Sequence, residues 1–333
     1  MTHTDVRLAL PSKGRLADGA ANFLAAAGLR VHKPNPRQFR ADIPALPGLT
    51  VLFQRAGDIA VSVRDGSVDF GITGWDVVRE RNGGDGGAVL CLHRELGFGR
   101  CTLNVIVPES WPDVNTMEQL ADHFARAGRA PRVATKFPSL TRAFFAHRGL
   151  RDAKLVPAEG TLEAAPAIGY ADLIVDLVST GTTLRDNRLR KLDDGLILES
   201  QACLIANRDA LKRRPEVLAL ARQLLEFIDA HLRAAANVSV FANIRGDSAK
   251  TIAARMFEHE VIGGLQGPTI TPVVTRDGGD WHAVHIVVPR DHLHQAIGEL
   301  RAIGGSGVVV TPVTYIFEEE PPTYRAMLAA LEE

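Results

Sequence analysis

Apolar runs that suit buried strands alternate along the chain with segments in which apolar residues recur every three or four positions. Val6–Leu10, Val68–Thr73 and Ala171–Leu177 are runs of the first kind, and segments with helical spacing follow the first two of them. Strands that alternate with helices indicate mainly parallel sheets. We therefore predict an α/β fold for this part of the chain.

A further apolar run at Ala202–Ala206 precedes a long helical pattern from about Pro215 to Ala235. Periodicity alone does not assign this run to a lobe, but a chain that leaves one lobe, builds a second and returns would place it in the first. We therefore predict a discontinuous lobe I over residues 1–100 and 185–236, and lobe II over residues 101–184. Ligands of two-lobed folds bind preferentially between the lobes.

The pattern changes after Asn237, where strands begin to dominate. In chain order we predict a strand, a helix, two strands, a helix and a strand: Val238–Ile244, Asp247–Phe257, Thr269–Thr275, Trp281–Val288, a helix containing Leu293 to Leu300, and Val308–Ile316. This β-α-β-β-α-β order is ferredoxin-like (ACT-like). It predicts a separate domain over residues 237–317, with a hairpin turn at Asp277-Gly278, followed by a tail over residues 318–333.

Composition narrows the classes of partner. The chain is 46% hydrophobic and 23% charged, with 38 basic and 39 acidic side chains and a net charge of −1. No basic excess indicates a nucleic-acid partner, and no apolar run approaches the roughly 18 residues of a membrane span. The first residues lack the basic and apolar regions of a secretory signal, so we expect a cytoplasmic protein that binds neither nucleic acid nor membrane.

The segment over residues 163–184 carries the most informative chemistry. It reads as a helix, a tight turn, a buried strand flanked by Asp172 and Asp176, and a hydroxyl-rich turn. Backbone N–H groups and hydroxyls in that turn can bind one phosphate, and the residues concerned are Thr180, Gly181, Thr182 and Thr183. The two carboxylates can bind ribose hydroxyls or face a metal-bound pyrophosphate. A solvated turn with a threonine N-cap explains the same residues equally well.

Ordered motifs along the chain resemble one family. The segment over residues 163–184 resembles the signature of ATP phosphoribosyltransferase, the first enzyme of histidine biosynthesis. Further segments resemble that family in the expected order: Pro11–Leu16, Asp69–Asp76, Leu96–Gly99 and Ala134–Arg142. Gly264–Thr269 resembles the start of the regulatory domain's second strand in the long form of the family. The resemblance covers nearly the whole chain except the tail.

The resemblance implies a fold and a reaction. It implies a two-lobed, periplasmic-binding-protein-like catalytic core followed by a ferredoxin-like regulatory domain. The family joins ring nitrogen N1 of ATP to the anomeric carbon of phosphoribosyl pyrophosphate and releases pyrophosphate, with Mg²⁺ present. Displacement at that carbon passes through a cationic state, so the catalyst mainly orients the nucleophile and stabilises the leaving group.

Site residues follow from the same resemblance. The turn at residues 180–183 is expected to hold the 5-phosphate, and the expected catalytic residues are Lys13, Arg15, Asp172 and Asp176. Mg²⁺ is expected to bind mainly through pyrophosphate, with Asp172 or Asp176 as a possible protein ligand. The residues expected to contact the nucleotide are Gly71, Thr73, Asp76 and Arg55. Trp75 either stacks on adenine or packs in the core, and packing is favoured.

Regulation is the other expectation that the resemblance carries. The long form of the family binds histidine as a feedback inhibitor, in a pocket between neighbouring chains, so a homo-oligomer between dimer and hexamer is expected. The matching positions are Asn243, Leu265, Thr269 and Gly307. From the ferredoxin-like order we expect the strands that begin at Thr269 and Gly307 to lie near one another. The connection over Met256–Ile262 is longer than the family pattern.

Two alternative hypotheses remain open at this point. One is a two-lobed binding or sensor protein for a small molecule, which would release no pyrophosphate. The other is a regulatory paralogue that has lost catalysis. The basic loop at Lys13 and Arg15 and the turn at residues 180–183 favour the transferase over both.

Overall fold

The computed structural model describes residues 5–33, 35, 38–82, 87–157, 162–276 and 279–332. The chain divides into two compact units, the first formed by Met1–Arg222 with Ala326–Glu333 and the second by Gln223–Arg325. Among the described helices, none combines the length and the apolar character that a membrane span requires.

The first unit alternates strands and helices. Its strands are β1 (Val6–Pro11), β2 (Arg40–Asp42), β3 (Leu49–Gln54), β4 (Phe70–Gly74), β5 (Val89–His93), β6 (Cys101–Pro108), β7 (Arg132–Thr135), β8 (Lys154–Pro157), β9 (Leu173–Val178), β10 (Leu189–Ser200) and β11 (Ala202–Asn207). Its helices are α1 (Arg15–Ala26), α2 (Ala56–Arg64), α3 (Trp75–Asn82), α4 (Met117–Arg126), α5 (Pro138–His147), α6 (Thr182–Asp186) and α7 (Arg208–Arg213), and α8 (Pro215–Ala235) continues into the second unit. A 3-10 turn lies at Leu162–Ala164.

The first sheet has the strand order β2-β3-β1-β4-β11-β5. β1 runs parallel to β3 and β4, whereas β11 is antiparallel to both β4 and β5. Every residue of β4 and β11 is buried, as expected for inner strands covered on both faces. The apolar run at residues 202–206 therefore lies in the first sheet, between β4 and β5.

The second sheet has the order β10-β6-β9-β7-β8, and it corrects one predicted boundary. Residues 185–236 were assigned to lobe I, but β10 pairs with β6 in the second sheet. The physical reason is that Leu192 packs into the core beside Leu103 and Val105. The chain returns to the first sheet only after Ser200. The predicted α/β class is confirmed.

The second unit is the predicted ferredoxin-like arrangement. Its elements are β12 (Asn237–Arg245), α9 (Ala249–Phe257), β13 (Thr269–Pro272), β14 (Trp281–Pro289), α10 (Leu293–Ala302) and β15 (Ser306–Pro312), and α11 (Pro322–Glu332) begins in this unit. The antiparallel sheet has the order β13-β14-β12-β15. Its buried face and the apolar faces of α9 and α10 form one core. The turn predicted at Asp277-Gly278 lies outside the described residues.

The boundary between the units differs from the predicted one. The sequence placed it at residues 236/237 and a separate tail at residues 318–333, whereas the units divide at Arg222/Gln223 and again at Arg325/Ala326. The tail contains α11, in which Met327 is buried. An amphipathic helix pattern cannot reveal this division, because one helix can contribute to two cores.

Candidate active site

The candidate site lies between the two sheets of the first unit, where several strands end. β1, β3 and β4 have their carboxyl ends on one side, and β7 and β9 have theirs on the other. The guanidinium of Arg15 joins the two sides, because its Nη1 donates a hydrogen bond of 3.1 Å to Oγ of Ser179. Ligands of open α/β sheets bind at the carboxyl ends of strands.

The β1–α1 loop presents two exposed cations to this cleft. Lys13 and Arg15 flank Gly14, whose φ of 80° lies in the left-handed region that favours glycine. Ser12 N donates to the carbonyl of Gln54 at 2.7 Å, which fixes the loop against the end of β3. The loop therefore holds an ammonium and a guanidinium close together in solvent, where they can bind phosphate oxygens.

The turn after β9 presents hydroxyls on the opposite side. Thr180, Thr182 and Thr183 are exposed, and the hydroxyls of Thr180 and Thr182 lie 3.3 Å apart. Gly181 between them has a φ of 72°, which a side chain would strain. Leu184 is 7% exposed and anchors the turn in the core. The turn thus combines a fixed backbone with several solvent-facing hydroxyls.

Asp176 lies in β9, close to the carboxyl end of that strand. Its Oδ1 accepts a hydrogen bond of 2.8 Å from Leu177 N. Burial raises the pKa of Asp176 and nearby Glu163 raises it further, while the Leu177 hydrogen bond and the charge of Lys136 oppose the rise. When a carboxylate is partly desolvated and lies beside a second carboxylate, a nearby cation stabilises its ionised form.

Asp172 directly precedes β9, at the end of the strand opposite to the hydroxyl turn. This position differs from the expectation that Asp172 is a catalytic residue. It lies about 20 Å from the hydroxyl turn on the usual rise of ~3.3 Å per strand residue. Its Oδ2 accepts 2.7 Å from Arg129 Nη1, and its Oδ1 accepts 3.0 Å from Arg132 Nη2. Burial raises the pKa of Asp172, but these hydrogen bonds outweigh it and hold the pKa well below its usual range. Its oxygens are engaged, so Asp172 does not fit a ribose or metal ligand.

Gly71 and Thr73 also differ from expectation, because both are buried within β4. A Cβ on Gly71 would lie 2.5 Å from Cγ2 of Ile59, so the glycine allows α2 to pack closely on the sheet. The hydroxyl of Thr73 donates 2.9 Å to the carbonyl of Ala56. Both residues hold α2 against β4 beside the site, and neither is accessible to a nucleotide.

Asp76, a third residue expected to contact the nucleotide, is 5% exposed at the start of α3. Its Oδ1 accepts a hydrogen bond of 2.5 Å from Ser200 Oγ, and Ser200 Oγ in turn accepts a hydrogen bond of 2.9 Å from Asp76 N. Burial raises the pKa of Asp76, and the hydrogen bond from Ser200 opposes the rise. The pair ties α3 to the point where the chain leaves β10. Asp76 is therefore placed to fix the side of the cleft where β10 leads into β11 at residues 200–202, which we call the hinge side.

Other expected residues have mixed placements. Arg55 is exposed at the N-terminus of α2, next to the end of β3. Trp75 is 5% exposed, which favours packing over stacking on adenine. Glu80 on α3 accepts 2.9 Å from Ser139 N and 3.0 Å from Leu140 N at the start of α5. This carboxylate from the first lobe caps a helix of the second lobe, and sequence reasoning did not find it.

A cavity of about 630 Å³ on the hinge side of the cleft was also missed. Trp75, Arg94, Arg100 and Lys191 are among the residues that line it, and Ser179 connects it with the hydroxyl turn. Arg94 and Arg100 flank the motif at Leu96–Gly99, which is the signal that could have indicated them. Lys191 and Glu199 had no such signal, because only the bulged pairing of β10 brings them here.

The residues expected to bind histidine do not come together in one chain. Thr269 belongs to β13 and Gly307 to β15, and these strands are opposite edges of the sheet. Two strands lie between them, so they are about 14 Å apart at ~4.8 Å per strand. The expectation that they are neighbours is wrong, because each pairs with a different inner strand.

These four residues instead form two pairs. Leu265 and Thr269 line a cavity of about 430 Å³ with Arg233 and His285. At the other edge, a Cβ on Gly307 would lie 3.6 Å from Nδ2 of Asn243.

The described part of the chain contains no group of three or more His, Cys, Asp or Glu side chains that could hold a metal ion. Asp176 lies four residues before Thr180, and the charge of Glu163 acts on it. Mg²⁺ is often bound by one or two carboxylates together with substrate phosphates, and this donor set fits such binding.

Comparisons with known proteins agree with the motifs. The family described as ATP phosphoribosyltransferase matches residues 55–229, and the family described as HisG, C-terminal domain, matches residues 234–315. ATP phosphoribosyltransferase 2, chloroplastic, of Arabidopsis thaliana is 41% identical over 98% of this chain and 80% of that protein. ATP phosphoribosyltransferase of Nitrobacter winogradskyi is 37% identical over 97% of this chain and 98% of that protein.

A solved structure shares the fold of about two thirds of the chain. The ATP phosphoribosyl transferase (HisG:HisZ) complex from Thermotoga maritima contains a chain that aligns with a TM-score of 0.51 at 24% identity. The alignment covers 67% of this chain and 98% of that chain. This likeness concerns the fold alone.

Proposed function

The chain belongs to the ATP phosphoribosyltransferase family, and from that premise we propose how its cleft carries out the family's reaction. The enzyme is a glycosyltransferase of the first step of histidine biosynthesis. It joins N1 of the adenine of ATP to the anomeric carbon of phosphoribosyl pyrophosphate and releases pyrophosphate. Nothing in the comparisons supports a binding protein or an inactive paralogue.

Phosphoribosyl pyrophosphate binds across the cleft. Its 5-phosphate accepts hydrogen bonds from the turn at residues 180–183, and its pyrophosphate lies against Lys13 and Arg15. The single observation that carries this assignment is the 3.1 Å hydrogen bond between Arg15 and Ser179, which brings the basic loop and the hydroxyl turn together. The ribose then lies between them, with its hydroxyls towards Asp176.

The protein's own groups act mainly by position and charge. The attacking ring nitrogen carries no proton, so no general base is required. The cations of the β1–α1 loop stabilise the charge that develops on the leaving pyrophosphate. Asp176 contributes negative charge near the ribose, where the transition state is cationic. The Asp76–Ser200 pair keeps the hinge side of the cleft in place.

Mg²⁺ is the proposed metal, and it would be bound by pyrophosphate together with Asp176 and, near it, Glu163. When bound, the ion neutralises pyrophosphate charge and so makes it a better leaving group. Asp172 is not proposed as a ligand, because Arg129 and Arg132 occupy its oxygens. The raised pKa of Asp176 supports the assignment of the metal to Asp176 and not to Asp172, because a nearby cation offsets the free-energy cost of a desolvated carboxylate.

Histidine is the proposed inhibitor, and a homo-oligomer is the proposed state in which it binds. Leu265 and Thr269 of one chain would face Asn243 and Gly307 of a second chain. The positions of Thr269 and Gly307 on opposite edge strands of the sheet support a pocket that two chains complete. We propose a cytoplasmic location for the enzyme.

The reaction itself is the decisive test. Purified protein mixed with ATP, phosphoribosyl pyrophosphate and Mg²⁺ should form phosphoribosyl-ATP, which is measured by its ultraviolet absorbance. One pyrophosphate should be released for each phosphoribosyl-ATP formed. Excess chelator should abolish turnover, and added Mg²⁺ should restore it. Undiminished turnover in chelator would contradict the metal assignment, and absence of product in complete buffer would contradict the function.

A further inference from the structure

We propose that Glu80 is a positioning residue: its carboxylate reaches from α3 in the first lobe to the start of α5 in the second lobe and holds the cleft at the width that catalysis requires. The contact uses both carboxylate oxygens, because Oε1 accepts 2.9 Å from Ser139 N and Oε2 accepts 3.0 Å from Leu140 N. This inference rests on the proposed function, since it concerns how the cleft of that enzyme closes on a substrate that spans both lobes.

The first observation is that α5 has no side-chain cap within its own lobe. The residue at the N-cap position is Phe137, whose side chain cannot accept a hydrogen bond, and Pro138 at the next position has no N–H. Phe137 is 7% exposed and packs in the core of the second lobe. The next two N–H groups are those of Ser139 and Leu140, which Glu80 binds. The second lobe therefore depends on a carboxylate of the first lobe to complete this helix.

The second observation is that α3 contacts the second lobe at two points. Asp76 and Glu80 are four residues apart, so they share one face of α3 and lie about 6 Å apart along its axis. Asp76 Oδ1 accepts 2.5 Å from Ser200 Oγ, and Ser200 belongs to β10 of the second sheet. Two attachments fix the angle between α3 and the second lobe as well as the distance. Without Glu80, the contact at Ser200 would remain as a pivot on the hinge side.

The third observation connects this contact with the proposed site. Lys136 is exposed between β7 and α5, and its charge acts on Asp176. Thr135 Oγ1 accepts 2.9 Å from Phe137 N, which fixes the segment that carries Lys136 to the start of α5. A shift of α5 would therefore move Lys136 relative to Asp176. Glu80 thus positions charge near the ribose and pyrophosphate without contacting substrate itself.

The test uses two substitutions of Glu80 in the full chain. Glu80→Ala removes both acceptors, whereas Glu80→Gln keeps the length of the side chain and one acceptor oxygen. Glu118→Ala is the matched control, because it removes an exposed carboxylate from the first turn of α4 within the second lobe. The measurements are the Kd of phosphoribosyl pyrophosphate with Mg²⁺ by calorimetry without ATP, kcat and KM in turnover, and Tm. Hydrogen exchange of the peptide with Ser139 and Leu140 reports the contact directly.

Glu80→Ala should raise the Kd and the KM of phosphoribosyl pyrophosphate at least about five-fold, because the substrate must then close a cleft that is mostly open. With both substrates saturating, kcat should fall less than about two-fold, since bound substrate itself closes the cleft. The peptide with Ser139 and Leu140 should exchange faster in Glu80→Ala than in the parent. Glu80→Gln should give a smaller rise in Kd, and Glu118→Ala should leave Kd, KM and kcat unchanged.

Two results would overturn the positioning role. An unchanged Kd in Glu80→Ala, with faster exchange and a lower Tm, would show that Glu80 only caps α5. A fall in kcat of ten-fold or more at saturation would show that Glu80 acts in the chemical step. If Glu80→Ala fails to fold, Glu80→Gln decides: a Kd raised at least about two-fold at unchanged Tm supports the role, and an unchanged Kd overturns it.

Failure of the proposed function gives a different result. The parent would then bind phosphoribosyl pyrophosphate and Glu80→Ala would weaken that binding, yet no phosphoribosyl-ATP would form from the complete mixture. The role of Glu80 in holding the lobes would stand in that case without the reaction.

Discussion

Asp172 and Asp176 flank the same short run of apolar strand residues, yet their carboxylates have opposite environments. Arg129 and Arg132 hold the pKa of Asp172 far below its usual range, whereas burial raises the pKa of Asp176. The partners of Asp172 lie far from it in sequence and approach it only because β9 pairs with β7. Local sequence therefore predicted two equivalent carboxylates, and tertiary pairing made one of them structural.

Replacing Asp172 by Asn should reduce stability without reducing turnover. The two arginines are about half exposed, so solvent screening limits the loss to about 1–3 kcal/mol at pH 7. Urea unfolding of parent and variant gives this difference, and kcat with saturating substrates gives the other readout. A fall in kcat of ten-fold or more with an intact fold would return Asp172 to the catalytic group.

The same substitution has a defined dependence on pH. The folded pKa of Asp172 is lowered, so its stabilising contribution is complete above the unfolded value of about 3.9 and is lost as the pH falls below it. The difference in unfolding free energy between parent and variant should therefore shrink when unfolding is measured at successively lower pH between 6 and 3. A constant difference over that range would exclude the ionised carboxylate as its source.

The hydroxyls of the turn after β9 should act on one substrate. Thr180→Val together with Thr183→Val is expected to raise the KM of phosphoribosyl pyrophosphate at least ten-fold, because each hydrogen bond to a charged phosphate contributes roughly 1.5–3 kcal/mol. Steady-state kinetics with ATP held saturating measures the effect. Thr271→Val, an exposed threonine on β13, serves as the control. An unchanged KM would place the 5-phosphate elsewhere.

Among elements, strand identity was more predictable than strand partnership. Period and apolar runs predicted β4, β9, β11 and the ferredoxin-like order, because burial requires those patterns. They could not show that β10 joins the second sheet, because its alternation suits either lobe. They also could not show that Gly71 serves packing, because a glycine at a strand end and a glycine beneath a helix look alike in sequence. The hinge-side cavity was missed for a related reason. Its charged residues come from two segments that lie far apart in the sequence, and no single motif contains them.

The opposite edge positions of β13 and β15 lead to a mixing experiment. Thr269→Ala and Asn243→Ala should each weaken histidine inhibition while catalysis is retained, because each removes one side of a pocket that two chains complete. Hybrid oligomers, formed by dissociating and reassociating an equal mixture of the two variants, should regain part of the inhibition. The reason is that some interfaces then pair the intact edge of one chain with the intact edge of the other. Inhibition in the mixture that equals the mean of the separate variants would place the pocket within one chain.

At the scale of the whole molecule, α11 shows that the tail is not an appendage. Met327 is 3% exposed, and Arg208 Nη1 donates a hydrogen bond to the carbonyl of Ala330 within the first unit. In the second unit, Thr323 donates through its hydroxyl to Asp229 at 2.7 Å. The helix therefore contributes to both units.

Ending the chain after Glu320 should lower stability measurably. Loss of the buried methionine alone costs about 1.5–3 kcal/mol, which corresponds to a fall in Tm of several degrees for a unit of this size. Differential scanning calorimetry of the shortened and full chains checks this. Removal of Glu332 and Glu333 only, which leaves Met327 and Ala330 in place, should leave Tm unchanged. An equal Tm for the chain ending at Glu320 would show that α11 adds no stability.

The position of β11 between β4 and β5 has a consequence for synthesis on the ribosome. The neighbours of this strand leave the ribosome first, and roughly a hundred residues of the second lobe follow before β11 appears. At about 5–20 residues per second, the nascent first sheet lacks an inner strand for of the order of 5–20 s. During that interval β4 and β5 expose unpaired edges, which are templates for wrong pairing. Completion of the first lobe thus waits for the second, and in the cell this delay is when the chain most needs protection by a chaperone.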